Sequence, residues 1–585
     1  MVEGSHSAKN KRSGIRKSSL VGLGLGVVII VLVNVIGAFV YTRFDLTAEK
    51  RHSLSPATRE LLKGIDDIVY FRVYLEGEFP AGFKRLRNAT REMLDEFRAY
   101  NKNIQYEFTN PSKSDSQQER NDTYQLLMEK GLQPTDLQVN TKQGREQQII
   151  FPGAIVSHKS VEQAVDLLQS QMGVPPEEVL NNSIQGLEFR LAGAIRNLTV
   201  ARKPRVAFIR GHGELGDKEV FDAAQSMRKQ YDVDVVRLDG MIGSLTGRDS
   251  LSGGSLRIAN KYDAIIIAKP DSAFSEKDKF IIDQYIMRGG SVLWLVDPVF
   301  ASMDSLQYSG TTMGIAGDLN LEDMLFEYGV RLNTDLLMDL NALPIPLRTG
   351  QIGNQPQIDF FPWYYFPVLT PLAGHPVVRN LNAIKTEFIS SLDTIRVGRV
   401  KKTILLKTSN YSRRVATPAL ISLSILQNEP DQGLYQGPPA PVAVLLEGEF
   451  RSVYQNRIPP EISTNPEIGF LEHSRFTRQI IVADGDIIKN QLHYSQGYPL
   501  PLGYDQYTGE SFGNKDFILN AVDYLTDDSG LITIRSREIS LRLLDTTKIG
   551  NQRLFWQLFN TLLPIVLVLA FGIGYHLQRK RKYAR

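Results

Sequence analysis

The sequence predicts an α/β protein, in which two domains of alternating strands and helices lie between one transmembrane helix near each end of the chain. Three observations support this prediction. Two long uncharged runs lie close to the ends, strand-like and helix-like segments alternate between them, and 585 residues provide enough material for several buried cores. The charged fraction of 22% is typical of globular proteins rather than of disordered or fibrous chains.

The first predicted transmembrane helix covers residues 19–41, and the second covers residues 554–577. Neither run contains a charged side chain. As a helix the first run is about 35 Å long, which is enough to cross a hydrocarbon layer of roughly 30 Å. A cleaved signal peptide is the alternative for this run. Because the apolar stretch is too long for one and no A-x-A-like site follows it, we predict a retained anchor.

The flanks of these helices predict the orientation of the chain. Residues 1–18 and residues 578–585 each contain five Lys or Arg side chains. Basic flanks stay on the cytoplasmic side, so we expect a two-pass protein of the inner membrane with both basic tails in the cytoplasm and the bulk in the periplasm. The tails hold ten basic and one acidic residue, which leaves a net charge of −6 for the rest from a total of +3. This mildly acidic exterior argues against nucleic acid as a partner.

Two single helices are too few to form a pore, so transport by this chain alone is not expected. Gly22 and Gly26 form a small-xxx-small pair, which lets the backbone of a neighbouring helix approach closely. We therefore predict that these two glycines pack against another membrane helix. The expected partners at this stage are the lipid bilayer and a further membrane subunit.

The first predicted domain covers residues 44–200. Ser55-Pro56 predicts a helix start, since serine caps helices and proline suits the first helical position. The following segments predict a β-α-β-α-β-β-α order: 68–75, 82–100, 104–108, 122–130, 147–157, 161–167 and 176–198. This order matches a thioredoxin-like arrangement. A redox function is excluded because the chain has no cysteine, and the position of the thioredoxin C-x-x-C motif is occupied by residues 78–82, EFPAG.

The second predicted domain covers residues 203–550. Its short apolar strands alternate with helices, which predicts a parallel sheet covered on both faces and a flavodoxin-like or amidotransferase-like domain with insertions. The segments are strands at 206–209, 233–238, 264–268 and 291–296 and helices at 217–231 and 276–287. The aromatic stretch 360–366 has two interpretations. It is either part of a core or an exposed surface for a partner or a carbohydrate.

A ligand crevice is predicted where the strands of this second domain end. The turn Arg210-Gly-His-Gly-Glu214 follows the first strand, and Lys269 and Asp297 follow two neighbouring strands. Ligands collect at the carboxyl ends of strands in open α/β sheets. His212, Glu214, Lys269 and Asp297 are therefore the candidate binding residues. In the alternative interpretation these residues are structural. His212 and Glu214 then cap the turn and the following helix, and Asp297 fixes a β-turn.

Enzymatic chemistry is not expected. The absence of cysteine removes thiolate nucleophiles and zinc–thiolate sites, and we predict no serine elbow. No P-loop occurs, so energy from ATP has to come from another subunit. The eight histidines lack i, i+4 pairs and HExxH, so neither a metal nor another cofactor is expected. A thiol-independent hydrolase is the least favoured alternative.

Several stretches together resemble the GldG family of gliding-motility-associated ABC transporter auxiliary proteins. They are residues 44–55 (FDLTAEKRHSLS), the Gly-His-Gly-Glu turn at 211–214, and residues 289–298, 501–525 and 530–544. The resemblance implies a membrane permease subunit and a cytoplasmic ATPase as partners, with this chain as the periplasmic component, often labelled substrate-binding. It implies no catalytic residues.

The predicted function is therefore that of a non-enzymatic, double-anchored periplasmic subunit of an ABC-type complex. This subunit would couple a permease and an ATPase to a periplasmic partner in gliding motility or envelope export. The alternative is a receptor that binds a small solute or glycan in the crevice of His212, Glu214 and Asp297.

Overall fold

The computed structural model describes residues 21–35, 54–114, 116–141, 144–169, 175–199, 202–250, 256–352, 355–371, 374–527, 530 and 546–583. The chain divides into two units, Met1–His52 with Glu538–Arg585 and Ser53–Arg537. In the first unit the described elements are the helices α1 (Val21–Val35) and α13 (Thr546–Tyr583). Within α13, residues Phe555–Arg581 are long and apolar enough to cross a membrane, and α1 is a shorter apolar helix. The remaining residues of the predicted first span, 19–20 and 36–41, lie outside the described residues.

The second unit begins with a four-stranded sheet packed against helices. Its elements are α2 (Pro56–Lys63), β1 (Val69–Val73), α3 (Ala81–Tyr100), β2 (Ile104–Phe108), α4 (Gln117–Glu129), β3 (Thr135–Thr141), β4 (Gly144–Ile150), β5 (Gly153–His158), β6 (Val161–Asp166), α5 (Pro176–Gln185) and α6 (Leu187–Thr199). The strand order is β2-β1-β5-β6, and β3 pairs with β4 as a separate hairpin. β1 runs parallel to β2 and antiparallel to β5, and β5 runs antiparallel to β6.

A local sequence signal places the start of α2 correctly. Ser55 is the N-cap of α2, and its hydroxyl accepts a hydrogen bond from the Thr58 backbone N at 3.1 Å, as the Ser-Pro pair predicts. The single helix predicted at 176–198 is wrong, because the chain breaks at Gly186 into α5 and α6. The single strand predicted at 147–157 is wrong as well, because β4 ends at Ile150 and β5 begins at Gly153. The strand β3, which pairs with β4, was not predicted.

The elements that follow form a seven-stranded sheet with smaller sheets around it. They are β7 (Arg205–Arg210), α7 (Phe221–Met227), β8 (Asp232–Arg237), β9 (Thr246–Ser250), β10 (Leu256–Asn260), β11 (Ala264–Ala268), α8 (Glu276–Met287), β12 (Ser291–Leu295), β13 (Val299–Phe300), α9 (Met303–Ser309), β14 (Thr311–Ala316), α10 (Glu322–Tyr328), β15 (Val330–Leu332), β16 (Asp335–Asp339), β17 (Ala342–Ile352), β18 (Gln355–Leu369), β19 (Ile384–Lys385), β20 (Leu392–Thr394), β21 (Lys401–Lys407), β22 (Ser412–Ala416), β23 (Ala419–Ser422), β24 (Pro441–Gly448), α11 (Pro460–Ser463), β25 (Thr477–Val482) and α12 (Asn514–Thr526).

The large sheet has the order β21-β24-β25-β12-β11-β7-β8. β8, β7, β11, β12 and β25 are parallel, and β24 and β21 extend the sheet in antiparallel pairing. Successive residues of β11 belong alternately to two hydrophobic cores, with Ile266 in one and Ile265 and Ile267 in the other. The predicted parallel sheet covered on both faces is therefore present. The helix predicted at 217–231 is shorter, since only Phe221–Met227 is helical.

A buried carboxylate holds the helix α8 to the segment that follows β24. Asp283 is 0% exposed, and its Oδ1 accepts hydrogen bonds from the Tyr328 hydroxyl at 2.8 Å and the Val453 backbone N at 3.1 Å. Its Oδ2 accepts hydrogen bonds from the Ser452 hydroxyl at 2.7 Å and the Gln284 side chain at 2.9 Å. Burial raises the pKa of Asp283, although these four donors favour the carboxylate.

We predict that Asp283→Ala lowers the free energy of unfolding by about 3 kcal/mol or more, because four buried donors lose their acceptor. Denaturation of the full chain in detergent micelles, followed by the fluorescence of the buried Trp294 and Trp363, measures the change. The control is Asp304→Ala at an exposed position, which should change the value by about 0.5 kcal/mol or less. Equal effects of the two substitutions would contradict the role given to Asp283.

Candidate functional site

Four parallel strands bring polar loops to one edge of the large sheet. β7 pairs with β11, β11 with β12, and β12 with β25, all in parallel. Their carboxyl ends therefore share one edge, which is where ligands bind in open α/β folds. As predicted, β7 leads into the turn 210–214, β11 is followed by Lys269, and β12 is followed by Asp297. The segment 484–486 follows β25 and was missed as part of the site, although Asp-Gly-Asp directly after the apolar run 480–483 is a readable signal.

His212 is held on both sides of its ring. Its Nδ1 lies 3.4 Å from Glu214 Oε1, and its Nε2 lies 3.3 Å from Asp278 Oδ2. The ring stacks on Phe274 at a centroid distance of 3.7 Å. His212 and Glu214 are 4% and 8% exposed. Because both ring nitrogens already have protein partners, the arrangement favours the structural interpretation, in which His212 fixes the loop.

Glu214 closes the same turn. Its Oε2 accepts a hydrogen bond from the backbone N of His212 at 2.8 Å. Burial opposes ionisation of Glu214, but the hydrogen bonds from His212 outweigh it and lower the pKa of the carboxyl. Gly213 has a φ of +73°, and a Cβ there would lie 1.5 Å from an oxygen of Asp271. The left-handed backbone at this position favours glycine.

Asp278 was not predicted, yet it connects this turn to two other segments. Its Oδ2 accepts a hydrogen bond from the hydroxyl of Ser275, the N-cap of α8, at 2.7 Å. Its Oδ1 accepts a hydrogen bond from the backbone N of Gly240 at 2.8 Å. The loops after β7 and β8 are thereby tied to the start of α8.

Lys269 has a strained backbone and a charged environment. Its φ is +53°, a left-handed conformation that side-chain-bearing residues rarely adopt. Its Nζ lies 3.3 Å from Asp297 Oδ2 and also donates to Asp486 Oδ2. Burial would lower the pKa of Lys269, but the charges of Asp297 and Asp486 raise it. A Cβ on Gly485 would lie 2.6 Å from the Lys269 Cβ, so glycine is required for this approach.

Two aspartates pair with that ammonium group, a third, Asp484, lies beside them, and all three are buried. The exposed fractions of Asp297, Asp484 and Asp486 are 6%, 0% and 8%. The backbone N of Gly485 donates to Asp297 Oδ1, and the backbone N of Asp486 donates to Asp484 Oδ1 at 2.8 Å. Burial raises the pKa of Asp297 to about 6, against the opposing charge of Lys269. Burial and the charges of the other two aspartates raise the pKa of Asp484.

The structure therefore brings the predicted residues together in two pairs, His212 with Glu214 and Lys269 with Asp297. Among the described residues, no hydrogen bond or ion pair joins one pair to the other. None of the four lines either of two cavities of about 460 and 330 Å³. The smaller cavity is lined in part by Glu387, whose pKa is raised by burial and by the charge of Asp486.

Two spacing motifs do not form the sites that their patterns suggest. Residues 211–216 fit G-x-G-x-x-G, but α7 begins only at Phe221, so no phosphate loop leads directly from strand to helix. Residues 509–513 fit G-x-S-x-G, which the prediction of no serine elbow overlooked. Ser511 is exposed and forms an isolated bridge with Tyr504 instead of ending a strand. No histidine hydrogen-bonds to it within the described residues.

Two further predictions concern residues away from this edge. Apart from their chain neighbours and the backbone of their own helix, no atom of the described residues lies within 4 Å of the Cβ positions of Gly22 and Gly26. Their packing against another helix stays a prediction. In the aromatic stretch, Trp363, Tyr364, Tyr365 and Phe366 belong to a hydrophobic core with β16 and β23 residues. The core interpretation is thus correct for these four side chains, whereas Phe360 is 50% exposed.

Comparisons with known proteins identify two matching families. A family model described as an ABC-type uncharacterized transport system matches residues 203–521, more than half of the chain. A domain of unknown function, DUF7088, matches residues 48–157. A search of curated proteins gives no match. Among solved structures, the mmIFT52 N-terminal domain has 11% sequence identity over 55% of this chain and 97% of its own, with a TM-score of 0.29, which is too low to establish a shared fold.

We predict that Lys269→Met lowers the free energy of unfolding by about 3 kcal/mol, because it leaves buried carboxylates without their counter-charge. The loss should be larger at pH 8 than at pH 5. Burial raises the pKa of Asp297 from 3.8 to about 6 even though the charge of Lys269 opposes this rise. Without that charge the pKa of Asp297 rises further in the folded variant, so the stability of the variant continues to fall as the pH rises above about 6, where the unsubstituted chain has already lost the proton. Chemical denaturation at the two pH values measures both effects.

The matched control is Lys401→Met, since Lys401 pairs with Glu447 but is 71% exposed. Its effect should stay below about 1 kcal/mol at either pH. A loss for Lys269→Met that is no larger at pH 8 than at pH 5 would contradict the charge balance described here.

Proposed function

This chain belongs to the family of auxiliary proteins of ABC-type uncharacterized transport systems, and from that premise we propose that it is a double-anchored accessory subunit of such a complex. The observation that carries the proposal is the family match over residues 203–521, which spans the seven-stranded sheet and its polar edge. The chain has no P-loop, so a separate ATPase supplies the energy. A permease provides the membrane pathway that two helices cannot form.

Membrane attachment at both ends is part of the proposal. An 18-residue window within Phe555–Arg581 has a mean hydropathy of 2.0, and the side chains of residues 555–581 are exposed. The helix α1 is apolar and exposed in the same way along nearly its whole length. Exposed apolar helices need lipid or a partner helix to cover them. The five basic residues in each tail support a cytoplasmic location for both ends and a periplasmic location for Ser53–Arg537.

The finer parts of the proposal concern the first sheet and the biological process. We propose a thioredoxin-like arrangement for the sheet β2-β1-β5-β6, supported by its one parallel and two antiparallel pairings. It is a structural module without redox chemistry, since the chain lacks cysteine. We propose gliding motility or envelope export as the process because residues 501–525 and 530–544 resemble the GldG family. In the accessory role the chain couples the permease and ATPase to a periplasmic partner and catalyses no reaction.

The proposed topology predicts which positions are accessible from outside the cell. Because the chain has no cysteine, a single introduced cysteine gives an unambiguous label. Tyr308 is 97% exposed, so Tyr308→Cys should react with a membrane-impermeant maleimide in intact spheroplasts. Ser7→Cys in the N-terminal tail should react only after the membrane is permeabilised. Labelling of Tyr308→Cys only after permeabilisation would contradict a periplasmic location.

Association with the transporter is tested by purifying the tagged full chain from membranes in mild detergent. We expect a multispanning permease and a P-loop ATPase to copurify and to be identified by mass spectrometry. Gly22→Leu with Gly26→Leu should reduce their recovery, because the added side chains fill the approach surface. Gly24→Leu is the matched control, since it lies on another face of the same helix. Recovery of the chain without either subunit would refute the proposed role.

A further inference from the structure

The carboxylates of Asp297, Asp484 and Asp486 meet at the carboxyl edge of the large sheet. One oxygen from each side chain lies within 4.8 Å of the others. Oxygens bound to opposite sides of a hard cation are roughly 4 to 5 Å apart, because each metal–oxygen bond is about 2.0–2.6 Å long. We propose that these three side chains form a binding site for one hard divalent cation, Mg²⁺, Mn²⁺ or Ca²⁺. This site is additional to the proposed accessory function and does not depend on it.

An unpartnered buried oxygen supports the site independently of the acidic cluster. Asp484 is 0% exposed, and its Oδ2 has no hydrogen-bond partner among the described residues. Its other oxygen accepts from the backbone N of Asp486, and in the described part of the chain no ammonium group pairs with either oxygen. Asp297 and Asp486 differ from it, since Lys269 pairs with both. A buried carboxylate oxygen is costly to leave without a partner, and a cation provides one.

The charges around the cluster leave room for an additional positive ion. Four carboxylates interact here, those of the three aspartates and of Glu387. Three ammonium groups face them, from Lys269, Lys489 and Lys385. Lys489 Nζ lies 3.4 Å from Asp486 Oδ1, while Lys385 donates to the backbone oxygen of Tyr504 at 3.5 Å. Glu219 also acts on Lys489 and Asp505 on Lys385, so the carboxylates outnumber the ammonium groups.

Lys269 competes with the cation and also marks its route of entry. The Lys269 side chain is 26% exposed, whereas the side chains of Asp297 and Asp486 are 7% and 5% exposed. The ammonium group thus reaches the carboxylates from the solvent side, and it can leave toward solvent when an ion takes its place. The donor set consists of carboxylate oxygens, without sulfur or imidazole ligands, and this composition selects hard ions over zinc or copper.

The test titrates Mn²⁺ into the purified full chain in detergent micelles and follows free Mn²⁺ by electron paramagnetic resonance. We expect one saturable site per chain, with Mg²⁺ and Ca²⁺ competing for it. Asp484→Asn should weaken Mn²⁺ binding by about 10- to 100-fold or more, since it removes a charged ligand. Lys269→Gln should strengthen it, because the competing ammonium group is lost. Asp304→Asn is the matched control at an exposed acidic position and should leave binding unchanged.

Asp484→Asn and Lys269→Gln are expected to change Mn²⁺ binding in opposite directions. The proposal therefore stays testable even where one of these variants folds poorly. Thermal unfolding of the same samples should show that Mn²⁺ stabilises the unsubstituted chain, stabilises Lys269→Gln more, and leaves Asp484→Asn unaffected. The absence of saturable binding in both the unsubstituted chain and Lys269→Gln would overturn the proposal. Equal binding by Asp484→Asn and the unsubstituted chain would overturn it as well. Neither result bears on copurification with a permease, so the accessory role is judged separately.

Discussion

The polar edge of the large sheet depends on the ion pairs that Lys269 makes with buried aspartates. Parallel strands β11, β12 and β25 end at the same edge, so the side chains that follow them are forced into one small volume. Burying several carboxylates together is unfavourable unless a positive charge lies among them. Lys269 supplies that charge, and it does so from a left-handed backbone conformation that the close approach of Gly485 accommodates. The loops after three strands are thereby held by one ammonium group.

A second cluster of polar side chains stabilises the neighbouring part of this edge. Within the described residues, no hydrogen bond or ion pair joins it to the cluster around Lys269. His212, Glu214 and Asp278 form a buried chain of contacts that fixes the loop after β7 to the start of α8. The stacking of His212 on Phe274 excludes solvent from this chain. The two clusters differ in how fully their polar atoms are paired. Every nitrogen of His212 has a partner within the protein, whereas Oδ2 of Asp484 has none among the described residues. Binding chemistry is therefore expected at the aspartates rather than at the histidine.

The sequence predicted most of what depends on local pattern. The N-cap at Ser55, the apolar strands of the parallel sheet and three of the segments at its carboxyl edge follow from spacing and composition. The shortness of α7 was not predictable, because Asp278 holds the preceding loop through its contact with His212, which is distant in sequence. The strained backbone of Lys269 has no local signal either. The role of Asp484 and Asp486 required knowledge that β25 lies beside β12, which strand patterns alone do not give.

The length of α13 has a mechanical consequence under the proposed topology. Its 38 residues, Thr546–Tyr583, form a continuous helix of about 57 Å, whereas the hydrocarbon layer is roughly 30 Å thick. With residues 554–577 in the bilayer, residues 546–553 extend the helix by about 12 Å on one side and residues 578–583 by about 9 Å on the other. Pro564 lies within the helix and removes one backbone hydrogen bond, which provides a point of bending inside the membrane. The part of the helix between Pro564 and Thr546 is continuous, so a change of tilt at Pro564 would move residues 546–553 sideways at the membrane surface and would carry a rearrangement among membrane helices into the water-facing part of the chain.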